Sequence, residues 1–86
     1  MTVRTVEVKL PLGLETRPVA MLVRTASEFD GCNIYLENEA KRVNAKSIMG
    51  MMTLGLIPGE QITVTADGKN EEAAVTRISE CLGVMV

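Results

Sequence analysis

The chain has 86 residues, which suffices for one folded domain (residues 1–86) and leaves no room for a second hydrophobic core. Hydrophobic residues make up 47% of the chain and charged residues 23%, as in an ordinary globular domain rather than a disordered one. The net charge of −2 and the presence of only two aromatic residues, Phe29 and Tyr35, argue against a surface that binds nucleic acid directly.

The first half of the chain predicts a strand, a helix and a second strand. Val6, Val8 and Leu10 alternate with polar residues, which is the period of a half-buried strand. Thr16 and Pro18 suit the first turn of a helix, because a hydroxyl caps free N–H groups and proline lacks one. The apolar positions that follow have helical spacing: Val19, Leu22, Val23, Ala26 and Phe29. After Asp30-Gly31 the alternation returns at Cys32, Ile34 and Leu36.

The second half predicts a short strand, a helix, a further strand and a last helix. A turn at Asn38-Glu39 leads into a strand over residues 41–44, and Pro58-Gly59 ends the segment after Ser47. Alternation resumes at Ile62, Val64 and Ala66, with Thr63 and Thr65 expected on the outer face. Asn70 is expected to cap the last helix, and Glu71 and Glu72 suit its positive end. The buried stripe of that helix is predicted to be Ala74, Ile78, Cys81 and Leu82.

The element order is therefore β-α-β-β-α-β-α, an α+β arrangement. One-sided alternation in the strands indicates an antiparallel sheet with one covered and one open face, so the helices should all pack on the covered face. A ferredoxin-like fold has nearly the same element order, and element order alone leaves that alternative open.

Several classes of function lack support in the sequence. No apolar run approaches the roughly 20 residues that span a bilayer. Charged residues interrupt the apolar residues near the amino terminus, unlike the apolar region of a signal peptide. We therefore expect no membrane association and a cytoplasmic location. Cys32 and Cys81 are far apart and the chain contains no histidine, so neither a metal nor another cofactor is expected. No catalytic dyad or phosphate-binding glycine loop is present, so the chain is not expected to be an enzyme.

The segment Val43-Asn44-Ala45-Lys46-Ser47-Ile48-Met49-Gly50-Met51-Met52 carries the strongest functional signal. Ser47 suits a helix N-cap, and Ile48, Met49 and Met52 recur at helical spacing behind it. Methionine side chains adapt to different partners, so this face is either a protein-binding surface or part of the core. Spacing alone does not choose between these two interpretations.

Together with a second segment, Gly13-Leu14-Glu15-Thr16-Arg17-Pro18-Val19, this motif resembles the HPr family of the bacterial phosphotransferase system. The family has Gly-(Ile/Leu)-His-Ala-Arg-Pro-Ala at the first segment and Val-Asn-(Leu/Ala)-Lys-Ser-Ile-Met-Gly at the second. The resemblance extends with near-constant spacing from Val6 to about Cys81. It implies an open-faced β-sandwich in which a four-stranded antiparallel sheet of order 1-4-2-3 carries three helices on one face.

This chain departs from the family at the phosphorylated histidine, where it has Glu15. A phosphocarrier needs an imidazole nitrogen that forms a reactive phosphoramidate, and a carboxylate cannot form that bond. Glu15, Thr16 and Arg17 are therefore interpreted as a degenerate phosphohistidine site. We hypothesise that Glu15 supplies there a fixed negative charge.

The chain lacks the histidine and retains the serine, and in both respects it resembles the Crh branch of the family. That branch, however, has glutamine at the position of Glu15. This resemblance implies that HPr kinase/phosphorylase phosphorylates Ser47 and that the product binds catabolite control protein A, a LacI-type repressor. The family's docking face maps here onto eight residues: Leu14, Arg17, Ala20, Met21, Arg24, Ile48, Met49 and Met52. The alternative is a divergent phosphocarrier-type component or docking module that interacts with proteins of the phosphotransferase system.

Overall fold

The computed structural model describes residues 1–9, 17–54 and 59–82, and for residues 17–19 the backbone alone. The elements follow the predicted order. The strands are β1 (Thr2–Glu7), β2 (Cys32–Glu37), β3 (Arg42–Asn44) and β4 (Gln61–Gly68). The helices are α1 (Arg17–Ser27), α2 (Ile48–Leu54) and α3 (Glu71–Leu82).

The four strands form one antiparallel sheet in the order β1-β4-β2-β3, which confirms the predicted topology. β4 lies in the middle of the sheet, where Val64 is paired with Arg4 on one side and with Leu36 on the other. The helices contact the sheet and one another: α3 packs on β1, β2 and β4, whereas α2 packs on β3 and α1. None of the described helices has the length and apolar character needed to cross a bilayer.

The core lies between the helices and the covered face of the sheet. The predicted inward positions of β2 and β4 are fully buried, as are Leu22 and Ala26 of α1. Val23 and Phe29 are partly buried and pack against this core, and Cys81 does the same from α3. The α3 stripe is wider than predicted, because Val75 and Ser79 are also buried. Leu10, Thr16 and Val19 fall where side chains are not described, so their predicted roles are not tested.

Thr65 lies on the outer face of β4, as predicted, but it is unexpectedly buried there. Its side chain is on the open face, yet only 6% of the residue is accessible. Thr65 is paired with Val3 on β1 and with Tyr35 on β2, so larger side chains flank it on both sides. The Tyr35 ring is in turn covered by the Arg42 guanidinium, 4.4 Å from the ring centre. A central strand is therefore shielded by its neighbours even on the face without helices.

Asn70 takes the predicted N-cap position of α3, but through its carbonyl rather than through its side chain. Asn70 has a φ of +58°, a conformation that asparagine tolerates better than most residues, and its carbonyl accepts the Ala74 N–H. The carboxylate of Glu71 binds this corner instead. One of its oxygens, Oε1, accepts the Gly68 N–H at 3.1 Å, and the other, Oε2, accepts the Thr2 hydroxyl at 2.6 Å. The Met1 amino group lies 2.7 Å from Oε2, so Glu71 connects the start of β1 to the start of α3.

We predict that this contact makes stability depend on pH through Glu71. Hydrogen bonds from the Met1 amino group, Thr2 and Gly68 lower the pKa of Glu71 from 4.5 to about 2. Because the folded-state pKa is depressed, the stabilisation is present above pH 4.5 and is lost as the pH falls towards about 2. Glu71→Gln should therefore lower the urea midpoint at neutral pH and have little effect near pH 2. Glu72→Gln, which removes the same charge from the same helical turn, is the control and should change the midpoint less at neutral pH.

Candidate docking site around the second helix

Ser47 immediately precedes α2 and is its N-cap. Its hydroxyl oxygen accepts the Gly50 N–H at 3.2 Å, and its carbonyl accepts the Met51 N–H at 2.9 Å. These are the contacts expected of an N-cap serine, since the first-turn N–H groups have no partner within the helix. Ser47 is exposed. The hydroxyl is thus held at the protein surface with a defined orientation.

The residues before Ser47 fix its position relative to the rest of the domain. Asn44 accepts the Lys46 N–H through its side chain at 2.8 Å and the Ser47 N–H through its carbonyl at 3.0 Å. Ala45 is fully buried and donates its N–H to the Ile34 carbonyl at 2.8 Å. The Lys46 ammonium donates to the carbonyl of Phe29, just after α1, at 2.8 Å. The loop is therefore attached both to β2 and to the end of α1.

α2 divides sharply into a buried and an exposed side. Met51 is fully buried and Leu54 is 5% exposed. On the other side, Ile48 is 49% exposed, Met49 77% and Met52 55%. Helical spacing places residues 48, 49 and 52 together and opposite residues 51 and 54. We call Ile48, Met49 and Met52 the exposed α2 face; it is available for binding rather than part of the core.

The end of α2 is held by the β2–β3 turn, a set of contacts that the sequence analysis did not anticipate. Asn38 accepts the N–H groups of Ala40 and Lys41 through its side-chain oxygen, at 2.8 and 2.9 Å. The Asn38 side-chain amide donates to the Leu54 carbonyl at 3.5 Å, and the Lys41 ammonium to the Thr53 carbonyl at 3.4 Å. The sequence predicted the turn at Asn38-Glu39, in which the first pair of contacts lies. Nothing in the sequence indicated that this turn contacts α2.

Part of the predicted docking face on α1 also lies at the surface. Ala20, Met21 and Arg24 are exposed, and α1 contacts α2. Leu22 and Ala26 bury the opposite side of α1 in the core. Two helices that contact each other thus each expose part of the predicted docking face.

The predicted degenerate phosphohistidine site lies mostly outside the described residues. Leu14, Glu15 and Thr16 lie outside the described residues, and Arg17 is described only as the first residue of α1. Their predicted roles therefore remain predictions.

Comparison with known proteins agrees with this arrangement. Residues 2–83 match the family described as "PTS HPr component phosphorylation site". The chain is 40% identical over 79 residues to the HPr-like protein Crh of Bacillus subtilis strain 168, covering 92% of each chain. It is 44% identical over 75 residues to the HPr-like protein Crh of Halalkalibacterium halodurans, covering 87% of this chain and 88% of that protein.

The fold is similar to that of solved structures in the same group. The crystal structure of a phosphocarrier protein HPr from Bacillus anthracis strain Ames superimposes with a TM-score of 0.87 at 38% identity. That match covers 94% of this chain and 95% of the other. Sequence match, element order and sheet order agree over nearly the whole length, and the chain therefore belongs to the HPr family, with Crh proteins among its relatives.

Proposed function

We propose that this chain is a non-enzymatic, cytoplasmic regulator of carbon catabolite repression. HPr kinase/phosphorylase transfers the γ-phosphoryl group of ATP to the Ser47 hydroxyl, and the phosphorylated protein binds catabolite control protein A. The observation that carries this proposal is the exposed Ser47 hydroxyl directly beside the exposed α2 face, in a relative of Crh proteins. The protein contributes a docking surface to the repressor and does not itself contact DNA.

Phosphorylation at this position adds charge without opposing the fold. A phosphoserine carries a charge of about −1.5 to −2 at neutral pH. The first turn of α2 contains no acidic side chain that would repel it. The N–H groups of that turn and the helix dipole favour an anion by roughly 0.3–1 kcal/mol. The modification is therefore expected to leave the domain folded and to give a partner's arginine or lysine a strong acceptor.

The apolar part of the interface is supplied by Met49 and Met52. Both are exposed on the side of α2 that carries no core contacts, and thioether side chains adapt their shape to a partner. Arg24 is exposed on α1 and, with Arg17, is proposed as the polar clamp at the edge of this surface. An apolar centre with charged residues around it is a common form of protein interface.

A second candidate function is a divergent phosphocarrier-type component or docking module of the phosphotransferase system. It is favoured by the matched family description, which refers to a phosphorylation site of the HPr component, and by the similarity to a phosphocarrier HPr. The absence of histidine from the chain opposes it, because Glu15 cannot accept a phosphoryl group as a phosphoramidate.

We predict that HPr kinase/phosphorylase and ATP place one phosphate on the protein, at Ser47. Peptide mapping by mass spectrometry locates it. Ser47→Ala should abolish the modification, whereas Ser27→Ala, which removes another exposed serine hydroxyl, should leave it unchanged. Because Ser47→Ala also removes a cap worth about 1 kcal/mol, circular dichroism should first establish that the variant is folded. An unmodified wild-type chain would contradict the proposed switch.

We predict that Met49→Ala with Met52→Ala weakens the binding of the phosphorylated protein to catabolite control protein A by about tenfold or more, as truncated interface anchors do. Isothermal titration calorimetry measures the change. Val3→Ala is the control, because Val3 is 56% exposed, close to the 55% of Met52, but lies on the open sheet face. Equal affinities for the double variant and the wild type would show that the exposed α2 face is not the docking surface.

We predict that enzyme I and phosphoenolpyruvate transfer no phosphoryl group to the wild-type chain. The expected reason is that no imidazole is present to accept it. Transfer is measured with radiolabelled phosphoenolpyruvate, and an authentic histidine-containing HPr is the positive control. Transfer to the wild type would favour the second candidate, and transfer gained by Glu15→His would show that the surface recognised by enzyme I has survived.

A further inference from the structure

We propose that Met49 and Met52 form a reversible oxidation site that switches docking off. The oxidant is hydrogen peroxide or another two-electron oxidant of the peroxide class. This inference rests on the proposed function, since it concerns regulation of the same surface.

The three methionines of α2 differ greatly in exposure. Met49 is 77% exposed and Met52 55%, whereas Met51 is fully buried although it lies between them in sequence. Oxidation requires contact between the thioether sulfur and the oxidant in solution. The fold therefore makes the two methionines of the proposed interface accessible and protects the one that supports the helix.

The reaction is a two-electron oxygen transfer. A lone pair of the thioether sulfur attacks one peroxide oxygen, an S–O bond forms and the O–O bond breaks. The departing hydroxide takes up a proton, so methionine and hydrogen peroxide give methionine sulfoxide and water. Methionine sulfoxide reductases reverse the reaction with a thiol reductant, which is oxidised to a disulfide while the oxygen leaves as water.

The expected consequence is confined to the surface. A sulfoxide is polar and chiral, so burying it against a partner costs more than burying a thioether. Met49 and Met52 are not part of the buried core, so their oxidation leaves the packing of Met51 and Leu54 intact. The contacts that hold both ends of α2, through Ser47, Asn38 and Lys41, involve no sulfur atom. Oxidation therefore changes the polarity of the exposed α2 face without unfolding the helix.

Among the other sulfur atoms of the described residues, Met21 on α1 is 56% exposed and should also oxidise, so Met21→Leu tests its contribution separately. The two cysteines are less suited to this role. Cys32 is buried, and Cys81 is partly buried beside the Thr25 hydroxyl, with 3.8 Å between sulfur and oxygen. Met1 is 75% exposed, but its amino group lies beside Asp67 and Glu71, at the other end of the sheet from the β2–β3 turn that holds α2. Met1 is therefore an exposed methionine that should oxidise without affecting docking.

The test uses the full chain phosphorylated on Ser47 and hydrogen peroxide. Peptide mapping during the reaction should show Met49 and Met52 oxidised at least about tenfold faster than Met51, as their exposure requires. Affinity for catabolite control protein A should fall about tenfold, which corresponds to about 1.4 kcal/mol. Treatment with methionine sulfoxide reductases and dithiothreitol should restore it.

Three variants distinguish oxidation at the proposed site from oxidation elsewhere in the protein. Met49→Leu with Met52→Leu keeps the apolar volume, so before treatment it should bind within about twofold of the wild type, and it should keep that affinity after peroxide. Met1→Leu and Met21→Leu should each remain as sensitive as the wild type. Equal oxidation rates for Met49, Met51 and Met52, or the same loss of affinity in the leucine double variant, would overturn the inference. Failure of the untreated phosphoprotein to bind would overturn the proposed function, whereas selective oxidation with unchanged binding would overturn this inference alone.

Discussion

The three helices of the described residues must all bury their apolar sides on a single face of a four-stranded sheet. β4 lies in the middle of that sheet, and its inward residues Ile62, Val64 and Ala66 are completely buried. Because none of the described helices covers the other face, the apolar area that the sheet offers is limited, and each helix can bury only one side. α2 contacts β3, a strand of three residues near the edge, and so it buries little more than Met51 and Leu54. The exposed α2 face follows directly from this constraint.

A helix of seven residues is too short to be stable by itself, since helix nucleation costs more than a few hydrogen bonds return. Its stability here comes from both ends and from one buried side. Ser47 caps the first turn, and Asn38 and Lys41 donate to carbonyls of the last turn. The same serine is therefore a structural cap and the proposed site of phosphorylation. These roles are compatible, because an added phosphate meets the same free N–H groups that the hydroxyl already serves.

The two proposed modifications act on nearby residues of the same helix and its N-cap, and they have opposite effects on binding. A phosphate on Ser47 adds an anion that a basic partner recognises, whereas a sulfoxide on Met49 or Met52 removes apolar surface that the partner would bury. Both change the chemistry of exposed groups without requiring the core to repack. In this proposal, a domain that lacks histidine is regulated through charge and polarity at the second helix rather than by accepting and passing on a phosphoryl group.

Much of the fold was predictable from the sequence because periodicity is a local property. Alternation identified the strands around Ile34 and Ile62, helical spacing identified the three helices, and a serine before an apolar run identified the cap. The sheet order was predictable only through the family resemblance. Thr65 is on the predicted outer face but is buried there, because alternation tells which face a side chain is on and not how closely neighbouring strands cover it. Glu71 was expected only to complement its own helix, and its contact with Thr2 joins residues 69 positions apart.

The site shows the same division. The sequence by itself determined that Ile48, Met49 and Met52 share one side of a helix that starts at Ser47, since that depends only on helical geometry. Only the tertiary structure decided that this side is exposed and that Met51 is buried, because the sheet and its turns choose which side of α2 they cover.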